Sequence, residues 1–84
     1  MQVTDIQINP YNSGNSAVQA FVTITIDNML VIHDIAIVSV GAKTFVAFPH
    51  QKTHSGVHKD TVYFLDRQVA YQVKNQILEK WRSM

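Results

Sequence analysis

Three clusters of residues have the types and spacing for chemistry. His50, His54 and His58 recur at i, i+4 and i+8, the interval that would stack three imidazoles on one face of a helix as a zinc site needs. Pro49 before them and Ser55-Gly56 among them oppose a helix there, and no cysteine or nearby acid supplies a fourth ligand. No metal is expected, and the three read as solvated loop histidines whose protonation would add positive charge. His33-Asp34 suggests an acid-base pair, yet neighbours on a strand point to opposite faces and cannot form a dyad. His33 is expected to be buried and satisfied by backbone or by a partner chain.

The third cluster is basic: Lys43, Lys52, Lys59, Arg67, Lys74 and Arg82, with Tyr71 among them as a ring on which a base could stack. Its weight comes from where the charge lies. Residues 1–42 hold three acids and no Lys or Arg, a net −3, whereas residues 43–84 hold seven bases and three acids, a net +4. Between Lys43 and Lys59 there are three lysines, three histidines and no acid. Such a partition points to an anionic partner for the second half, against the alternative of an ordinary solvated face. No glycine-rich phosphate loop, nucleophile elbow or paired-carboxylate pattern occurs, so catalytic residues, a cofactor and a small-molecule substrate are not expected.

The elements that must position these residues follow from the hydrophobic pattern. Eighty-four residues, 46% apolar and 15% charged, suit one folded domain spanning 1–84 and not a disordered chain. At that size roughly 60% of the unfolded surface is buried, a thin margin that a partner would improve. The absence of cysteine excludes disulfides. The apolar runs Met29–Ile32 and Ile35–Val38 are broken by His33-Asp34, far short of a membrane helix. With no secretory pattern at Met1–Asp5, a cytoplasmic protein without a membrane partner is the expectation.

Thr4, Ile6 and Ile8 alternate with Asp5 and Gln7 as a short strand ending at Asn9-Pro10. Val18, Ala20, Val22, Ile24 and Ile26 hold a strict period of two, and Asp27-Asn28 tolerate the left-handed backbone of a tight hairpin. The following strand, Met29 to about Ser39, is apolar on both faces and reads as covered on both sides. Thr44–Phe48 makes a fourth strand stopped by Pro49, His50–Lys59 an exposed loop, and Thr61–Leu65 a short fifth strand. Asp66 is a good N-cap, and no Gly or Pro interrupts Arg67–Arg82. On that helix Val69, Ala70, Val73, Ile77 and Trp81 fall within an arc of roughly 120° that faces the sheet. Arg67, Tyr71, Lys74, Leu78 and Arg82 share a second arc beside it. The predicted fold is α+β, a four- or five-stranded antiparallel sheet with a C-terminal α-helix.

Val3-Thr4-Asp5-Ile6, Thr23-Ile24-Thr25-Ile26-Asp27-Asn28, Val31-Ile32-His33-Asp34-Ile35 and Phe45-Val46-Ala47-Phe48-Pro49 together resemble the SpoVG family of bacterial septation and sporulation regulators, from Val3 to about Trp81. The resemblance implies a homodimer joined through its sheet that binds DNA, and in some members RNA, to modulate gene expression, with no catalysis and no cofactor. It also implies nucleic-acid contacts in the loop after Pro49 and on the C-terminal helix. This chain departs from the family pattern after the proline, where His50-Gln51-Lys52 replaces Ser and two basic residues. After the retained Lys59-Asp60 pair, Tyr63-Phe64-Leu65-Asp66 replaces His-Pro-Ile-Asn. An arginine early in the family's helix falls near Ala70, and Arg67 lies one turn before it. These departures mark a divergent member. A non-enzymatic adaptor pairing through sheet edges stands as the alternative.

Overall fold

The segment with the strictest alternation is one of the two central strands of the sheet. The computed structural model describes every residue except 12, 13, 15, 16 and 53, with Lys52 and His58 as backbone only. Strands β1 (Val3–Pro10), β2 (Val18–Ile26), β3 (Leu30–Val40) and β4 (Lys43–Ala47) pair antiparallel in sequence order. A separate two-stranded sheet joins β5 (His50–Lys52) to β6 (His58–Asp60), and α1 (Arg67–Arg82) follows. The fold is α+β, as the pattern predicts.

The period of two in β2 places Ala20, Val22, Ile24 and Ile26 on one face, all buried under α1. Asp27 and Asn28, with φ of 53° and 54°, form the left-handed turn into β3, closed by Met29 N–H donating to the Ile26 carbonyl at 2.9 Å. That turn is clamped to β1. The Asp27 carboxylate accepts from the Gln2 amide at 2.7 Å, and the Thr4 hydroxyl accepts from the Asn28 amide at 3.0 Å. Thr4 therefore does not face the core as alternation suggests. A register shift between Val3 and Asp5 brings Val3 inward with Ile6 and Ile8 and releases Thr4 to the turn.

β3 departs most from a simple alternating strand. Asp34 has φ +64°, and between Val22 and Ile24 the pairing jumps from Ile35 to Ile32, so one extra residue sits in β3. The bulge changes the phase of alternation. Ile32 before it and Ile35 and Ile37 after it all point to the helix side and are buried. The strand is thus covered on one face only, and the expectation of cover on both is corrected. His33 is likewise not buried: it lies exposed on the outer face, its Nδ1 3.1 Å from the Thr23 hydroxyl.

α1 supplies the cover. Val73 and Ile77 are buried, and Val69, Leu78 and Trp81 are half-buried against the core. Full burial of a side chain such as Ile77 stabilises by about 1.5–3 kcal/mol. Two further expectations are corrected between sheet and helix. His50–Lys59 contains the β5–β6 hairpin where a plain loop is predicted, and Thr61–Leu65 is an irregular connector where a strand is predicted. Pro49 separates the two sheets because it donates no ladder bond, while its carbonyl accepts from both the Thr61 amide (2.8 Å) and the Thr61 hydroxyl (3.0 Å).

The outer face of the sheet exposes Phe21, Val31, Val40 and Phe45, with Val38 half-buried among them. Tyr11 packs edge-on against Phe21, with ring centroids 5.1 Å apart.

The bulge makes a prediction. A β-branched residue resists the left-handed region that Asp34 occupies, whereas glycine adopts it freely. Asp34→Val is expected to be less stable than Asp34→Gly by about 1–2 kcal/mol in urea unfolding. Equal midpoints would show that the bulge does not set the phase of β3.

Candidate nucleic-acid interface

The cations read from the sequence fall into separate groups once folded. On the hairpin, Gln51 pairs with Lys59, Lys52 with His58 and His50 with Asp60. Directly opposed residues of an antiparallel pair share a face, so Gln51 stands beside Lys59. The Lys52 side chain, a predicted contact, lies outside the described residues. Thr61 ties the hairpin's exit to Pro49 at its entrance, and Gln51, Lys59, Asp60, Thr61 and Tyr63 line a cleft of about 460 Å³ at this base.

From there the connector is anchored at alternate points. Phe64 turns inward to meet Phe48 edge-on at 5.6 Å, and the Lys74 ammonium lies 5.4 Å from the centroid of the same Phe48 ring. A cation over an aromatic face is an attractive contact, so Lys74 helps fix the connector on the helix. Leu65 and Tyr63 stay outside, 91% and 61% exposed. Asp66 then caps α1, its carboxylate accepting from the Gln68 and Val69 amides at 2.8 and 3.4 Å. The cap fixes the first turn, from which Arg67 and Tyr71 project four residues apart on one side of the helix. Arg67, Gln68, Tyr71 and Gln72 line a shallow depression there, with Tyr71 69% exposed.

The other predicted contacts lie elsewhere. Arg82 ends α1, about 22 Å along the helix from Arg67, exposed in the last turn with Lys80. Lys43 is exposed at the opposite end of β4 from Pro49, about 13 Å along the strand from Ala47. Lys80 is engaged, its ammonium donating to the Ile6 carbonyl on β1. A groove of about 300 Å³ between α1 and the start of β1 is lined by Val3, Gln72, Val73 and Gln76 among others and has no charged side chain. The hairpin base and the first turn of α1 are therefore the strongest composite of cation, amide and exposed ring.

Tyr63 and Gln51 belong to that composite and are absent from the residues singled out by sequence. Reading Thr61–Leu65 as a strand hides Tyr63. The signal available was the aromatic pair Tyr63-Phe64 two residues before the cap Asp66, since two consecutive rings cannot both face the core of a short connector.

The chain is thus a one-helix α+β domain with a separate two-stranded hairpin between sheet and helix. The SpoVG family model matches residues 1–83. Relatives named as SpoVG septation proteins include one from Agathobacter rectalis, 32% identical over 83 residues that cover 99% of this chain and 94% of the relative. Another, from Caldicellulosiruptor saccharolyticus, is 32% identical over 84 residues, covering 100% and 94%. A third, from Borreliella burgdorferi, is 31% identical over 83 residues, covering 96% and 86%. The chain belongs to the SpoVG family.

The cap is the joint between hairpin and helix. Asp66→Ala is expected to cost about 0.5–2 kcal/mol and to speed amide exchange at Gln68 and Val69 first. Unchanged exchange at those amides would show that the first turn is held by packing alone.

Proposed function

We propose that the chain is a non-enzymatic, nucleic-acid-binding regulator that works as a homodimer, and that the base of its β5–β6 hairpin and the first turns of α1 meet the nucleic acid. The observation that carries this is the contrast between its charges. Asp27 and Asp66 are committed to backbone amides, whereas the side chains of Lys59 on β6 and Arg67 at the start of α1 are exposed and make no hydrogen bond or ion pair to the described residues. Exposed cations beside neutral amides and a tyrosine suit phosphate and base contact together. The names of the relatives support a physiological role in septation; regulation of gene expression and sporulation follow from the resemblance.

The dimer is supported by the outer face. Phe21 beside Ala36, and Val38 beside Phe45, form an apolar cluster on that face, with Val31 beyond the Thr23–His33 pair, and α1, committed to the other side, cannot cover it. Two copies laid face to face would bury it, and a chain this short gains core by doing so. Pairing through sheet edges, as an adaptor would need, is less well supported. Lys80 occupies a carbonyl of the β1 edge and Pro10 ends that strand.

The electrostatics set the test. With Lys52, Lys59 and Arg67 on phosphates, one protomer neutralises about three charges and a dimer about six. The logarithm of the binding constant should fall against the logarithm of salt with a slope of about −5 on a duplex spanning both protomers, and about −2 on a single strand held by one. Replacing Lys59 and Arg67 with alanine should flatten the slope by about two units per engaged protomer, with little change in melting temperature because both are exposed. Binding without salt sensitivity, or no binding, would contradict the reading. In sedimentation the protein should run at twice its 9.5 kDa chain mass, and Phe45→Asp should reduce it to one.

A further inference from the structure

We propose that the cleft at the base of the hairpin holds an unpaired nucleobase stacked on Tyr63, which makes single-stranded nucleic acid the preferred ligand over duplex. The inference rests on the nucleic-acid reading above and specifies its substrate class. Tyr63 is held out from the surface by its neighbours. Thr61 is fixed through two bonds to the Pro49 carbonyl, Phe64 is packed on Phe48, and Asp66 is bound to the helix amides. A large ring held exposed between three anchored residues is a prepared platform, because ordering it on binding costs little.

The cleft around the ring has the groups a base needs. Gln51 offers both an amide donor and an acceptor for a base edge. Lys59 is positioned for the phosphate. Asp60, exposed in the same cleft, would repel a phosphate but accepts hydrogen bonds from a base amino group. A surface that read only the backbone would gain nothing from that carboxylate, so the base belongs at the Asp60 side and the phosphate at the Lys59 side.

A second platform lies within reach. Tyr63 and Arg67 are four residues apart, at most about 14 Å, and Tyr71 stands one helical turn beyond Arg67. Two exposed tyrosines, each beside a cation, suit bases splayed from a flexible strand. In a duplex the ring faces of the bases are covered by their neighbours, and neither tyrosine could be used.

The test compares a labelled oligonucleotide of about a dozen nucleotides, single-stranded and as its duplex, by fluorescence anisotropy at one fixed salt concentration. Wild type should bind the single strand more tightly. Tyr63→Ala should weaken single-strand binding about 5- to 100-fold, a far larger loss than on the duplex, and keep the salt slope because no charge is removed, while Tyr63→Phe should stay within about twofold of wild type. Tighter duplex binding by wild type, or single-strand binding untouched by Tyr63→Ala, would overturn the stacking site and leave the nucleic-acid reading standing. Salt-insensitive binding, or none, of both forms would overturn the two together.

Discussion

The structure depends on β3 keeping its aliphatic side chains under the helix while the sequence passes through His33-Asp34. A regular strand would send Ile32 to one face and Ile35 and Ile37 to the other, and a single helix could cover only one set. The extra residue at Asp34, with its left-handed backbone, restores all three to one side. Everything outward then changes phase as well. Val31, Val38 and the imidazole of His33 are left on the far face beside Phe21 and Phe45. One backbone irregularity thus sets both the face of β3 that α1 closes and the face left outward.

The hairpin and the helix inherit their placement from the end of β4. Phe48 is the last inward side chain before Pro49 stops the ladder, and it is buried. It receives Phe64 on one side and the Lys74 ammonium on another, so the connector is pinned to the helix at its middle. Thr61 and Asp66 pin its two ends. What remains outside between those ends is short and held on both sides, and Tyr63 stands there, with Lys59 before it on β6 and Arg67 and Tyr71 after it on α1. Binding groups on such a frame need little reordering to meet a ligand.

Much of this frame was legible in the residues. The alternation from Ala20 to Ile26, the left-handed turn at Asp27-Asn28 and the helix from Arg67 to Arg82 are each set by interactions within a few residues of chain; Val18 does not keep the expected phase, because a register shift before Ala20 sets it opposite Val38. The bulge was not legible, because a period-two reading assumes a constant phase and Asp34 looks like any polar residue inside an apolar run. Thr61–Leu65 misled for a related reason: its apolar residues serve an anchor at Phe64 and an exposed platform at Tyr63, not a ladder. Within the basic set, charge could be counted but its commitments could not. Lys80 reaches a carbonyl 74 positions away, and Lys74 is drawn to a ring on another element. Long-range partners of that kind decide which cations are free, and composition holds no trace of them.

On the proposed function, ligand contact is confined to the hairpin base and the first turns of α1, separate from the apolar face of the sheet. Amide chemical-shift mapping during titration with a short oligonucleotide tests it directly. Shifts are expected to concentrate at Gln51, Lys59 to Tyr63 and Arg67 to Tyr71, with the Asp27–Met29 turn and the outer-face residues Phe21, Val38 and Phe45 unmoved. Shifts centred on that outer face, with the hairpin base silent, would contradict it.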